Sequence, residues 1–261
     1  MWIHFIYYLA IGAIAGTLSG LLGIGGGVVI VPLLVLVYTL QKMPGDLVMH
    51  MAVATSLAGM IVTTASAVMA HHRYGSKIWS TFKLLAPGVA IGSIVGAIIA
   101  HKLSTHTLQI AFSFFVFIIA IHLITPSKTK VEHHLPQTIG CYVISGTIGI
   151  ISSLLGLGGG TFMVPFLAYC SIDMRDAVGI SAACSLVISI VSTLSFMLLG
   201  ALHHSLPVGS TGYIYWPAVI CIAMASPFFA LWGANLSHRL PVKRLRQIFA
   251  VFLLGVAIYM L

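Results

Sequence analysis

The composition excludes an ordinary water-soluble protein. Of the 261 residues, 59% are apolar and only 6% are charged, whereas soluble domains carry roughly 25% charged residues. Four acidic residues are outnumbered by twelve Lys and Arg, which gives a formal net charge of +8. The basic residues stand singly or in short groups between apolar runs, as juxtamembrane charges do, and form no nucleic-acid-binding patch. We therefore expect the lipid bilayer as a partner and no nucleic acid.

Apolar runs long enough to cross a bilayer recur along the chain. A hydrocarbon core of ~30 Å takes about 20 helical residues. The first stretch, 5–40, is too long for one helix and has a glycine cluster near its middle, and a second stretch of this kind covers 139–171. Three uninterrupted runs follow each broken stretch. These six spans are expected at 50–70, 79–100, 107–124, 177–200, 214–236 and 246–261.

The two halves of the chain resemble each other. Three motifs recur in the same order: 16–27 as 149–160, 52–56 as 177–181, and 96–103 as 233–240. A polar connector separates the two sets. The sequence therefore predicts a first transmembrane repeat over 1–125, a polar linker over 126–138 and a second transmembrane repeat over 139–261. Paired broken segments in corresponding positions are typical of secondary transporters, whose site lies where the repeats meet.

The repeat predicts an all-α polytopic membrane protein, each half having a glycine-broken or re-entrant segment plus three transmembrane helices. If each broken segment crosses once, the halves are parallel and seven basic residues lie inside against five outside. If each turns back at its glycines, the halves are inverted and ten lie inside, leaving Lys42 and Lys102 outside. The second count follows the positive-inside rule better, so we expect inverted repeats. Their second arms, near 28–40 and 161–171, are short for full spans.

The two glycine clusters are the predicted anion site. Glycine lets a helix unwind, and N–H groups bared at membrane depth must be paired by protein, water or a ligand. A helix that restarts there offers a partial positive charge, and nearby hydroxyls orient the ligand. The alternatives are glycines that only allow close helix packing and hydroxyls that bond to their own backbone. The expected substrate-binding residues are Gly23, Gly25, Gly26, Gly27, Thr55, Ser56, Gly156, Gly158, Gly159, Gly160, Thr161 and Ser181.

Two further pairs of residues have expected roles beside these clusters. Pro32 and Pro165 each follow a cluster by five residues and are expected to act as structural hinges for the restarting helices. His50 and Arg175 precede the repeated Ala-Val motif and are expected to guide an anion, with interfacial anchoring as the alternative. All four carboxylates fall in loops or at span ends, which disfavours a cation pump.

The sequence predicts neither a metal site nor a cofactor nor an enzyme. The paired histidines at 71–72, 133–134 and 203–204 point about 100° apart on a helix and have no i, i+4 partner with a carboxylate. The four cysteines lack C-x-x-C spacing and are expected to be small core residues. No serine has an obvious histidine partner at membrane depth, which disfavours nucleophilic catalysis.

The doubled G-x-G-G-G-x-x-x-x-P segments, with the repeated Ala-Val motif, resemble the TauE/SafE sulfite-exporter family over essentially the whole chain. The resemblance implies a bacterial inner-membrane carrier that exports a small anionic substrate such as sulfite, sulfoacetate, thiosulfate or a related organosulfonate by alternating access. A homodimer is left open. Ile180 stands where the first half has Thr55, and Ser153 where it has Gly20, so the halves contribute unequally. The alternatives are an anion channel, a carrier of another organic acid or a neutral solute, and a membrane scaffold without a substrate.

Overall fold

The chain folds almost entirely into α-helices. The structure is a computed structural model that describes residues 2–22, 26–71, 77–124, 135–201, 206–237 and 242–260. Several residues singled out above lie outside the described residues: Gly23, Gly25, His72, His133, His134, His203 and His204, with 126–134 of the linker. The division into repeats and linker stays a prediction.

The described residues of the first half form five helices and one short 3-10 turn. The three uninterrupted spans expected here are confirmed as helices, each within about two residues of its expected start. The elements are α1 Trp2–Leu22, α2 Gly27–Leu40, the 3-10 turn Gly45–Leu47, α3 Val48–His71, α4 Lys77–Lys102 and α5 Thr105–Ile124.

The second half repeats this order and adds a β-hairpin. Its three uninterrupted spans are also confirmed as helices, although the span expected from 214 begins only at Trp216, because Ile214 and Tyr215 pair with Ser210 and Thr211 as a two-stranded sheet. The elements are α6 Thr138–Leu155, α7 Gly160–Tyr169, α8 Met174–Gly200, β1 Ser210–Thr211, β2 Ile214–Tyr215, α9 Trp216–Ser237 and α10 Val242–Tyr259.

Several of these helices are suited to crossing a bilayer. Five are long and apolar enough within the described residues, namely those covering 45–69, 78–102, 138–155, 174–200 and 216–233. The second arms are shorter: α2 has 14 residues and α7 has 10, which at ~1.5 Å per residue gives roughly 21 Å and 15 Å. Neither length reaches across a ~30 Å core, so both arms end inside it.

Both glycine-broken stretches turn back on themselves. Tyr8, near the start of α1, packs against Tyr38, near the end of α2, with ring centroids 6.3 Å apart. In the second half, α6 and α7 likewise pack against each other. Each stretch is therefore a hairpin of two helices, the geometry on which the prediction of inverted halves depends. The inversion itself stays a prediction.

Glycines bring helices of opposite halves into backbone contact. A Cβ on Gly16 of α1 would lie 2.4 Å from the Ser226 carbonyl oxygen of α9. A Cβ on Gly149 of α6, the matching position, would lie 2.5 Å from the Val89 carbonyl oxygen of α4. Such close approach is typical of small-residue packing between membrane helices. Long helices of one half therefore pack against long helices of the other half: α1 against α9, α4 against α6, and α3 against α8.

Among the five long apolar helices, α3 has the largest share of buried residues. Met51, Val53 and Leu57 of this helix are completely buried, whereas outward-facing side chains such as Phe228 on α9 are 75% exposed. Large apolar side chains on an outer surface fit a lipid environment. The centre of the fold, where α3 meets α8, is where the two helix breaks come together.

Candidate functional site

The second helix break is closed by a left-handed glycine. Helix α6 ends at Leu155, and Gly156 adopts φ 71° and ψ 22°. The Leu157 N–H donates to the Ser152 carbonyl at 2.9 Å, and the Gly156 N–H donates to the Ser153 carbonyl at 3.3 Å. This arrangement pairs the last carbonyls of α6 and is favourable for glycine because it lacks a Cβ. The expected interruption at 156–160 is confirmed.

Helix α7 restarts immediately after this turn. Its first hydrogen bonds run from the Phe162 and Met163 N–H groups to the Gly159 carbonyl, at 3.2 and 2.7 Å. The N–H groups of Gly159, the N-cap, and of Gly160, the first residue of α7, have no acceptor within the helix. The start of α7 therefore presents main-chain donors and the positive end of a helix dipole.

The start of α2 has the same geometry. The Val29 and Ile30 N–H groups both donate to the Gly26 carbonyl at 3.0 Å. Gly26 and Gly159 occupy matching positions in the repeated motif and have similar dihedral angles, φ −75° and −55°. The described part of the first break thus restarts its helix as the second break does.

The two breaks meet at the centre of the protein. A Cβ on Gly27 would lie 2.4 Å from the Gly156 carbonyl oxygen and 3.0 Å from Leu157 Cα. Main chain therefore touches main chain across the two halves, and only glycine fits at position 27. We call Gly27 together with 156–160 the glycine junction.

Met60 of α3 fills the space beside the glycine junction. A Cβ on Gly27 would lie 3.1 Å from Met60 Sδ, and a Cβ on Gly158 would lie 2.4 Å from Met60 Cε. The Met60 side chain is only 2% exposed. Methionine is unbranched and flexible, so this side chain can move aside at small cost. Sequence analysis missed Met60; its place one helical turn after Ser56 is the signal that points to it.

Ser56 and Ser181 occupy matching positions but differ in their hydrogen bonds. Ser56 Oγ donates to the Gly156 carbonyl at 3.1 Å and so fastens α3 to the glycine junction. Ser181 is 2% exposed, and within the described residues its Oγ has no partner. The structure therefore brings Ser56 to the junction as a bonded group and leaves Ser181 as an open donor on α8.

Thr55 faces a different neighbourhood from Ser56. Its Oγ1 accepts hydrogen bonds from the Tyr38 hydroxyl at 3.2 Å and from the Tyr215 N–H at 3.1 Å. Tyr8, Tyr38 and Tyr215 surround it, with ring centroids 6.0 to 6.3 Å apart in edge-on contact. Thr55 therefore fastens the hairpin strand β2 to α3 and α2.

The remaining predicted residues lie at the restarting helices. Thr161 is half-buried as the second residue of α7. Pro32 is buried inside α2, and Pro165 lies inside α7. Each proline removes the N–H that would bond the carbonyl four residues earlier, which weakens the helix just past its start. Their role as hinges stays a prediction.

The two residues expected to guide an anion are placed differently from each other. His50 is 4% exposed, and its Nε2 lies 3.0 Å from the Ala100 carbonyl and 3.1 Å from the Leu103 carbonyl. It therefore bonds to the C-terminal end of α4. Arg175 is exposed in the first turn of α8. Guidance of an anion by either residue stays a prediction.

The turn of the β-hairpin packs against two histidines, His50 and His101. Tyr213 is 1% exposed and its hydroxyl is hydrogen-bonded to His101 Nδ1 at 2.8 Å. Burial raises the pKa of the Tyr213 phenol, so the hydroxyl stays protonated. Its ring also packs against His50, with centroids 5.3 Å apart. Sequence analysis missed the hairpin, although Pro207, Gly209 and Gly212 are turn-forming residues that could have indicated it.

Comparison with known proteins identifies the family. The family described as sulfite exporter TauE/SafE matches residues 8–260. The chain belongs to this family. It is 36% identical to a probable membrane transporter protein of Haemophilus influenzae, over all of this chain and 99% of that one. It is 23% identical to the probable membrane transporter protein YunE of Bacillus subtilis, over 96% of this chain and 94% of that one.

This TauE/SafE chain is a multi-pass membrane transporter, as the family and the names of its relatives indicate. No solved structure is significantly similar to it. Across the described ranges, no group of three His, Cys, Asp or Glu side chains is arranged to hold a metal ion. At the glycine junction and on α8, the described residues of this TauE/SafE protein provide main-chain and hydroxyl groups.

Proposed function

We propose that the protein is a secondary transporter that exports small sulfur-containing anions, such as sulfite, sulfoacetate, thiosulfate or a related organosulfonate, by alternating access across the inner membrane. The anion binds at the glycine junction, where the main-chain donors at the starts of α2 and α7 meet its oxygens. A helix start binds an anion without a buried cation, because its N–H groups and its dipole both favour negative charge.

The observation that carries the proposal is the meeting of two matching helix starts. Gly27 begins α2, and it touches Gly156 and Leu157, which lead into α7. The two helix starts thereby lie side by side, in the manner expected of transporters built from repeats with broken helices. Met60 stands between Gly27 and Gly158, so its displacement admits the anion.

The experiment fills the junction without displacing main chain. A Cβ on Gly158 meets only the flexible Met60 Cε within 3 Å, so Gly158→Ala is expected to fold. Its methyl group occupies space beside the α7 donors. We expect efflux of radiolabelled sulfite from proteoliposomes to fall about tenfold or more, the loss that follows from one or two weakened charge-assisted hydrogen bonds.

The matched control is Gly255→Ala on α10, where a Cβ would meet no atom within 4 Å. Its efflux should equal that of the unaltered protein. Equal efflux in Gly158→Ala would remove the glycine junction from the mechanism. Efflux that saturates distinguishes a carrier from a channel, and a protein with no efflux and no thermal stabilisation by any sulfur oxyanion or carboxylate would be a scaffold.

A further inference from the structure

One face of α8 carries a line of buried hydroxyl groups. Ser181, Ser185 and Ser189 are four residues apart, so they share one side of the helix, and Ser192 and Thr193 continue it. All five are at least nine-tenths buried, with exposures between 0% and 6%. From the first to the last, the helix rises roughly 18 Å at ~1.5 Å per residue, more than half of a ~30 Å hydrocarbon core. We call these five residues the α8 hydroxyl line.

Most of this line has unused hydrogen-bonding capacity. In the part of the chain that the structure describes, the hydroxyl oxygens of Ser181, Ser189 and Thr193 have no hydrogen-bond partner. Ser195, on the same helix but half-buried, bonds back to the Val191 carbonyl at 2.8 Å, as serines in membrane helices usually do. An open hydroxyl at membrane depth is unfavourable. The line therefore points to a polar ligand that meets it during transport.

The line connects to the glycine junction and to α6. A Cβ on Gly159 would lie 3.3 Å from Ser185 Oγ. Ser192 Oγ donates to Ser153 Oγ on α6 at 2.8 Å. Ser152, next to it on α6, is completely buried, and its Oγ is another open hydroxyl among the described residues. Ser185 thus faces the start of α7, and Ser192 faces α6.

The far end of the line leads to the β-hairpin. Phe196, one turn beyond Thr193, packs against Tyr213 with ring centroids 6.3 Å apart. The hydroxyls therefore extend from the glycine junction toward the hairpin end of the protein. They therefore form a row along α8 and not a single binding position.

The matching helix α3 lacks this feature. Ser56 matches Ser181 and donates to the Gly156 carbonyl at 3.1 Å. Thr64 matches Ser189 and bonds back to the Met60 carbonyl at 2.8 Å. Both first-half hydroxyls are therefore bonded, whereas their second-half counterparts are open. Of these two matched helices, α8 is therefore the one with open hydroxyls.

We propose that the α8 hydroxyl line is the route along which the anion moves between the glycine junction and the hairpin end. Each hydroxyl donates one hydrogen bond to an oxygen of a small oxyanion, and so replaces part of its hydration shell in sequence. Residues 181–193 contain no acidic side chain that would repel an anion. This inference rests on the proposed function and extends it from one binding position to a path.

The experiment removes open hydroxyls and compares them with a bonded one. The double variant Ser189→Ala with Thr193→Val loses two open donors but keeps their volume closely. We expect radiolabelled sulfite efflux from proteoliposomes to fall about tenfold or more, with a thermal midpoint no lower than that of the unaltered protein, because no hydrogen bond is lost. Ser195→Ala, which removes a hydroxyl that bonds to its own helix backbone, is the control on the same helix and should retain efflux.

The possible results distinguish failure of the α8 route from failure of anion binding at the glycine junction. Unaltered efflux in the double variant, with efflux lost in Gly158→Ala, would overturn the route and leave the proposed function standing. A fall in efflux that is matched by a lower thermal midpoint, or that Ser195→Ala reproduces, would also overturn it, because the hydroxyls would then be structural. An unaltered protein without sulfur-oxyanion efflux would overturn the proposed function and this route together.

Discussion

Replacing Gly27 by alanine tests whether main-chain contact at the glycine junction holds the fold together. The added Cβ would lie 2.4 Å from the Gly156 carbonyl oxygen, about 1 Å inside ordinary van der Waals contact, and 3.0 Å from Leu157 Cα. Both neighbours are backbone, so α2 or the turn after α6 must shift. Overpacking of this kind costs about 1–3 kcal/mol, and alanine's better helix propensity returns less than ~1 kcal/mol at a helix start.

A net loss of about 2 kcal/mol should lower the thermal midpoint by roughly 4–8 °C for a chain of this size. All four cysteines are free and buried, so a thiol-reactive fluorescent dye reports unfolding of the purified protein in detergent. Gly255→Ala, which meets no atom within 4 Å, should not lower the midpoint and should raise it by at most about 4 °C, since only helix propensity changes. Equal midpoints for both variants would refute the argument that the two halves touch through main chain at Gly27.

Three other substitutions test the contacts around the junction. Ser56→Ala removes the donor to the Gly156 carbonyl, so the midpoint should fall by roughly 2–6 °C; a midpoint equal to that of the unaltered protein would contradict this bond. Tyr38→Phe removes the hydroxyl bonded to Thr55 but keeps the ring cluster, and its loss should be about half as large. Tyr213 has its pKa raised by burial from 10.0, so its contribution to stability is complete below pH 10 and declines above it, as the unfolded phenol ionises first. Tyr213→Phe should therefore weaken the decline in unfolding midpoint measured above pH 10, and an identical decline would contradict the assignment.

The positions of the helix breaks could be predicted from sequence because glycine and proline act locally. A run such as 156–160 interrupts a helix wherever it occurs, since glycine alone takes the φ of 71° found at Gly156 without strain. The uninterrupted spans could also be predicted from the sequence, because hydrocarbon thickness fixes their length. Composition and spacing do not predict which helices of opposite halves pack together.

The directions in which individual hydroxyl groups point could not be predicted from the sequence. Thr55 and Ser56 are adjacent, yet one bonds to the tyrosine cluster and the other to the glycine junction. Adjacent helical residues point about 100° apart, so their neighbours are decided by tertiary packing. The α8 hydroxyl line was visible in principle, because Ser181, Ser185 and Ser189 recur every four residues. Recurrence alone does not tell an open hydroxyl from one bonded to its own backbone.

The contacts made by Gly16 and Gly149 determine which parts of the molecule travel as one body. With carbonyl oxygens 2.4 and 2.5 Å from the positions of absent Cβ atoms, the helices touch through main chain at both glycines. We therefore expect α1 to move with α9, and α6 with α4, as two levers that each combine one helix from each half of the chain. Probes for distance changes during turnover belong between these two levers, since labels within either one will keep a constant separation.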